Sequence, residues 1–302
     1  MIYDHMDDCF ANLKKNILEG IENTDTESLF NELSKINEPT LVTGVGGSSV
    51  VATFLAKVLT EKNHIICNYV SPRDLVYMDL SSYKNVISVS YSGNNVGVTV
   101  SFDNDLKHYL FTGNKKEGIN CLLYNMNKEA SYVSISATLV PISIIALYYC
   151  NNLELIESLI DEEIEISSNS SSYQVIYGYE NKSAAMLLES SINESGMASC
   201  ILHDKYNYCH GRLNTSRVLN SDLVFFNSDK EIDEMMLRQL PLHFKNIIKI
   251  DEEYDDPVIN DYYDCIISMK TIHQIATEKH YDISDMKELE DNDFFYLFNG
   301  EM

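Results

Sequence analysis

Between Asp7 and Glu38 apolar residues recur at helical spacing (Phe10, Leu13, Ile17, Ile21, Leu29, Leu33, Ile36), which predicts two helices with a break at Gly20 and Asn23 to Thr26. Past Pro39 the period changes. Short β-rich runs at 40–44, 64–70, 85–91 and 119–125 alternate with stretches of helix length, a rhythm that predicts βαβ units and a parallel sheet. The acidic, serine-rich stretch 155–173 starts as a helix end and then loses all periodicity, which marks a linker. A second series follows: strands at 173–178, 198–202, 222–227, 246–250 and 264–268, with a helix from about Asn181 to Ser195 after the first. In each series a strand runs into a glycine, Gly44 or Gly178, and then into a helix. The expected fold is therefore α/β: a helical N-terminal segment over 1–38, then two tandem three-layer α/β/α domains with mainly parallel sheets, over 39–165 and 170–302. The two halves share rhythm and length rather than identity.

One stretch, 130–153, carries no charge and would pass for a membrane span in a sliding window. Pro141 and the serines at 131, 134, 136 and 143 divide it into a strand-like first half and an apolar helix shorter than the roughly 20 residues that spanning needs, so a buried core helix is expected. The length, 302 residues, and an apolar share of 45% suffice for two packed domains. With 22 basic against 46 acidic side chains the formal charge is −24, a field that repels nucleic acid and anionic lipid. Neither is expected as a partner. The seven cysteines are scattered and include no C-x-x-C pair, which fits free thiols in a reducing cytoplasm. The N-terminus, with Asp4, Asp7 and Asp8 and no apolar run, lacks the features of a signal peptide, so a cytoplasmic location is expected. His203, His243, His273 and His280 fall at unrelated spacings, and no metal site is expected.

Two polar turns carry the candidate chemistry. In "TGVGGSSVV" the strand at 40–44 ends in Gly44, Gly46 and Gly47, with Ser48 and Ser49 opening the next helix. Small residues there let backbone N–H groups and the helix dipole face an anion, and the two hydroxyls add donors. A dinucleotide fingerprint would need G-x-G-x-x-G and a later acid, whereas Ser49 stands in the last position. In "SVSYSGNN" a second strand ends in Ser90, Ser92, Gly93 and Asn95. In an open parallel sheet, neighbouring turns of this kind flank the ligand crevice, and the two together could hold one phosphate without any lysine.

These turns resemble those of the sugar isomerase (SIS) domain family, whose first turn reads G-x-G-x-S and whose second reads S-x-S-G-x-T, here with Asn95 in place of threonine. The likeness covers most of the chain. It implies a small-molecule phosphosugar ligand, bound by Gly46, Gly47, Ser48, Ser49, Ser90, Ser92, Gly93 and Asn95, no metal or organic cofactor, and a homodimer in which the partner supplies part of the site.

The second half adds "AAMLLESSINESGMASCILHDKYNYCHGRLN". In the isomerase and deglycase members that this resembles, a helix-borne glutamate moves a proton between adjacent sugar carbons and a histidine in an H-G motif helps open the ring. Glu194 precedes His210 by 16 residues, the separation expected from the resemblance, and Glu189 precedes it by 21. Five helical residues turn through about 500°, so the two glutamates face some 140° apart and do not serve one site equally. The separation favours Glu194 and leaves Glu189 open. Moving a proton between C1 and C2 asks for a carboxylate lifted toward neutrality by partial burial. Asp204, Asn207, His210, Gly211 and Arg212 also match a D-x-x-N-x-x-H-G-R segment of double-domain relatives, where better-studied members have proline after H-G. Arg212 would then pair with a second anionic group on the substrate. Transaminating members carry a lysine in the C-terminal tail, and Lys287 is the lysine of the last 20 residues here. The chain opens on a helical segment rather than an amidotransferase domain, so glutamine-dependent amination is not expected. The resemblance thus implies an aldose–ketose isomerase or a deglycase of a 6-phosphosugar; the alternative is a phosphosugar sensor that binds without catalysis, and a third reading is a scaffold whose turns no longer bind phosphate.

Overall fold

The computed structural model describes residues 4–228 and 230–285. They fall into two compact units, one built from Asn12–Glu129 and Ser136–Glu157, the other from residues 4–11, Ala130–Ile135 and residues 158–285.

The chain begins with α1 (Met6–Ala11), α2 (Leu13–Asn23) and α3 (Thr26–Ser34), the last capped by Asp25, which accepts from the Ser28 amide at 3.1 Å. Gly20 does not break a helix. It lies inside α2, where that helix approaches a later one so closely that a Cβ on Gly20 would sit 2.5 Å from Val140 Cγ1. Next come β1 (Thr40–Thr43), α4 (Gly47–Asn63), β2 (Cys67–Tyr69), α5 (Pro72–Leu75), β3 (Asn85–Val89), α6 (Val96–Ser101), β4 (Lys107–Thr112) and β5 (Asn120–Leu123). All five strands are parallel, in the order β2-β1-β3-β4-β5. Strand β4 was not expected from the sequence: Lys107 and His108 mask its start, and its last four residues are buried as a continuous run rather than in alternation.

The charge-free stretch forms α7 (Ser136–Cys150), buried on every side from Thr138 to Tyr148. Its N-terminus is held by Glu129, whose carboxylate accepts from the amides of Ser136 (2.9 Å) and Ala137 (3.2 Å). Pro141 lies within this helix, and 130–135 forms no strand, contrary to the expected division at that point. Among the described residues no helix is long and apolar enough to cross a membrane.

The chain passes from the first unit to the other within α8 (Leu153–Asp161) and continues through β6 (Ser172–Tyr177), α9 (Lys182–Ser195), β7 (Ser199–Asp204), α10 (Lys205–Cys209), β8 (Asp222–Asn227), α11 (Lys230–Gln239), β9 (Ile247–Asp251) and α12 (Pro257–Glu278). The sheet is again parallel, in the order β7-β6-β8-β9. The run at 264–268, expected as a strand, belongs instead to α12. Asp256 caps that helix on the amides of Val258 (2.9 Å) and Ile259 (3.0 Å), Pro257 opens it, and burial along most of its length explains why a short apolar run within it carries no helical period. The irregular stretch before β6 is pinned rather than loose: the Ile166 amide donates to Gln274 (2.6 Å) and the Ser168 amide to Glu278 (2.7 Å), both on α12. All seven cysteines are free, and burial pushes the Cys67 thiol up to about 12. Among the described residues no group of three or more His, Cys, Asp or Glu side chains is placed to hold a metal ion.

Candidate functional site

In the first sheet the strand order reverses between β1 and β3, so the connections leaving them cross to opposite faces and a crevice opens beyond their C-terminal ends. The two polar turns leave these two strands. They also touch: a Cβ on Gly97 would lie 3.3 Å from Val45 Cγ1 in the first turn and 3.2 Å from Asn95 Oδ1 in the second.

The first turn is built by glycines. A Cβ at Gly44 would meet the Ser48 carbonyl oxygen at 2.5 Å, so only glycine lets α4 start directly over the strand end. Gly46, at φ 57° and ψ −138°, holds a conformation open essentially to glycine alone, and nothing lies within 4 Å of the space its side chain would fill. Gly47 and Ser48 follow as the first residues of a 17-residue helix, whose leading N–H groups lack intrahelical partners. Ser49 closes the turn, its hydroxyl donating to the Gly46 carbonyl at 2.7 Å. Tyr69, from β2, borders this turn; burial, with the Asp74 charge, raises its phenol against the opposing bond to Ser49.

In the second turn Ser90 is buried and acts as the keystone: its amide donates to the Phe111 carbonyl (3.1 Å), and its hydroxyl accepts from the Gly93 amide (3.1 Å) and from Asn95 Nδ2 (3.2 Å). Asn95 caps α6 through Oδ1 on the Val98 amide at 3.0 Å. Its amide group thus fills both roles open to a threonine hydroxyl, accepting at the helix and donating to the turn. Ser92 is exposed. Gly93, at φ +67°, leaves room for a residue the sequence reading missed, Lys116, whose stem crosses the turn and whose amine donates to Asn94 Oδ1 at 2.5 Å. A Cβ at Gly93 would meet Lys116 Cε at 2.9 Å. The crevice wall thus carries a cation beside its hydroxyls and amides.

The remaining candidates lie in the other unit. Helix α9 leaves the C-terminal end of β6 and runs back along the sheet, so Glu194, its penultimate residue, lies near the strands' N-terminal ends. His210 is exposed and follows β7, which pairs with β6 to the register Tyr177–Asp204, so it departs from the opposite end. One chain does not bring Glu194 and His210 together; along α9 they are separated by a helix length of about 20 Å. Glu189 sits mid-helix and half-buried, and burial lifts its carboxyl above the ordinary range, opposed by the Asn193 amide at 2.7 Å. Asn193 in turn grips the Cys200 backbone, donating to its carbonyl (3.0 Å) and accepting from its amide (2.8 Å), which fixes the glutamate's partner. Asp204 caps α10 on the amides of Tyr206 and Asn207, both at 3.1 Å. Arg212 lies near Tyr177 and His203, holding the Tyr177 phenol down against the larger effect of burial and adding to the burial that lowers His203. Lys287 lies outside the described residues.

No protein-family model matches the chain, and no curated protein matches it in sequence. In structure it resembles the C-terminal domain of glucosamine-fructose-6-phosphate aminotransferase from Francisella tularensis, with a TM-score of 0.71 and 12% identity over 94% of this chain and 98% of that one. Tagatose-6-phosphate ketose/aldose isomerase from Escherichia coli gives a TM-score of 0.72 and 13% identity over 94% and 96%. Glucosamine-6-phosphate deaminase from Thermotoga maritima gives 0.67 and 13% over 91% and 98%. The fold these structures share with the chain is the SIS-type α/β architecture.

Proposed function

We propose that the chain binds a 6-phosphosugar at the crevice of its first sheet and catalyses proton transfer between adjacent sugar carbons, as an aldose–ketose isomerase or a deglycase. The observation that carries this reading is the meeting of two glycine- and serine-lined turns at the point where the strand order reverses, on a fold whose structural neighbours bear the names of sugar-phosphate enzymes. Phosphate would take the leading amides of α4, the Ser48 and Ser92 hydroxyls and the Lys116 ammonium, with Ser90 and Asn95 shaping the turn behind them. The proton carrier in this reading is a glutamate of α9: Glu194 has the expected separation from His210, and Glu189 has a carboxyl that burial raises, the property general base catalysis needs near neutrality. His210 would open the ring in the site of a second copy, which makes the working form a homodimer.

A thermal-shift panel of 6-phosphosugars, followed by proton-exchange NMR on each hit, tests the reading. A ligand at 100 times its Kd adds about 2.7 kcal/mol of apparent stability. The expected result is a hit with solvent deuterium entering at C1 or C2, abolished in Glu194→Gln or, if Glu189 is the carrier, in Glu189→Gln; exchange retained in both variants would overturn the glutamate assignment. A hit without exchange in the wild type would make the protein a sensor, and no hit at all would sink the sugar-phosphate reading.

A further inference from the structure

The second sheet reverses its strand order between β6 and β8, as the first does between β1 and β3. Its crevice is likewise flanked by the turn after β6, Gly178 to Asn181, and by the turn after β8, which opens on Ser228. The occupants differ. Two residues past the strand-end glycine the first turn has Gly46, and the second has Glu180. The Glu180 carboxylate folds back over the strand end, so near that a Cβ on Gly178 would meet Oε1 at 2.5 Å. There it accepts from the Ser228 hydroxyl and lies 3.7 Å from the Lys205 ammonium. Lys205, 5% exposed, extends from the end of β7, donating to Ser228 Oγ at 2.7 Å and to Asp233 Oδ2 at 2.7 Å; the Ser228 amide donates to the same Asp233 oxygen at 2.6 Å.

A serine hydroxyl and a cation at the C-terminal ends of parallel strands are the groups that would receive an anion at such a point. We propose that the crevice of the second sheet is an anion site already filled by the chain's own Glu180, so that Lys205 and Ser228 are withheld from phosphate. With two carboxylates against one ammonium the filled site carries net negative charge and repels an added anion. Removing Glu180 leaves Lys205 balanced by Asp233 and frees the outer donors. The proposal goes beyond the sugar-phosphate reading and does not depend on it, since it concerns the other sheet.

The probe is inorganic phosphate, titrated into the full chain by calorimetry while the amide signals of Gly178 and Ser228 are followed by NMR. Glu180→Ala is expected to take up one more equivalent of phosphate than the wild type, with both amides shifting, and to bind at this point at least tenfold more tightly than the wild type does. Glu180→Ser keeps a hydroxyl to pair with Ser228 and carries the same expectation should the alanine variant fail to fold. An unchanged equivalent count, or an added equivalent that leaves both amides unmoved, overturns the proposal. If the wild type binds no phosphate while Glu180→Ala binds one, this inference stands, and the reading of the first sheet's crevice falls only if the 6-phosphosugar panel also gives no hit.

Discussion

Removing Lys116 tests whether the second turn holds phosphate by charge as well as by hydroxyls. Its stem packs over Gly93 and its amine meets Asn94 at 2.5 Å, so the ammonium is positioned before any ligand arrives. A hydrogen bond to a charged group contributes about 1.5–3 kcal/mol, and for a half-exposed lysine the lower end applies. Lys116→Met should therefore weaken 6-phosphosugar binding about tenfold in calorimetry, less at high salt, with an unchanged urea midpoint. Gly93→Ala reaches the same lysine by another route. Its Cβ would lie 2.9 Å from Lys116 Cε and 3.0 Å from Leu110 Cδ2, and a φ of +67° costs a non-glycine residue roughly 1–2 kcal/mol. The alanine variant should lose about that much stability and also about tenfold in affinity, because the displaced stem takes the ammonium with it. The double variant then distinguishes causes. If Gly93 acts on binding through Lys116, the pair loses about tenfold rather than a hundredfold, a coupling of about 1.4 kcal/mol. Wild-type affinity in Lys116→Met, or fully additive losses in the double variant, would refute the argument.

Asp233→Ala strands the buried Lys205 without its 2.7 Å partner and should cost about 3–5 kcal/mol in urea unfolding; a loss below 1 kcal/mol would show that the ammonium finds water instead. Gly20→Ala would gain about 1 kcal/mol of helix propensity on an isolated helix, yet its methyl would lie 2.5 Å from Val140 Cγ1 and 3.2 Å from the Asn125 carbonyl, so a net loss of about 1 kcal/mol in the melt is expected and a rise would contradict the approach of α2 to α7. Burial and Arg212 depress the His203 pKa in the folded state, so the unfolded chain binds more protons and the stability this residue contributes is lost as pH falls below its unfolded value of about 6.5. Urea midpoints from pH 7.5 down to 5.5 should fall more steeply in the wild type than in His203→Gln, and equal slopes would remove the residue from the account.

What could be read from the sequence was what is local. Strand β8 occupies 222–227 as its composition predicts, since Leu223 to Phe226 form a fully buried run bounded by polar residues. The glycine and serine turns were legible for the same reason: a strand, a small residue and a helix start lie within ten positions. Non-local facts were not. Lys116 gains meaning only because β4 pairs with β3 in the register Val89–Phe111, which carries the loop after β4 to the Ser90 turn, and β4 itself was hidden by Lys107 and His108. Glutamate spacing gave the angle between Glu189 and Glu194 but neither the burial that lifts the Glu189 carboxyl nor the direction in which α9 runs.

The comparison of the two crevices shows where a repeated rhythm stops implying a repeated function. Both halves offer strand, glycine, turn and helix, and both sheets reverse order between the strands that bear these turns. At the position two past the glycine, one has no side chain and the other has a carboxylate. Gly46 leaves the leading amides of α4 open, whereas Glu180 brings an acceptor to Ser228 and Lys205. Backbone geometry creates the potential for an anion at each switch point, and a single side chain decides whether that potential meets a ligand or is satisfied within the fold. Asp233, at 2.7 Å, already balances the buried Lys205, and Glu180, at 3.7 Å, adds a second carboxylate that occupies the remaining donors. The second sheet therefore couples its own ionic core to the closure of its crevice, whereas in the first sheet the glycine turn carries no such carboxylate and Lys116 is held on Asn94 beside the Ser90 turn.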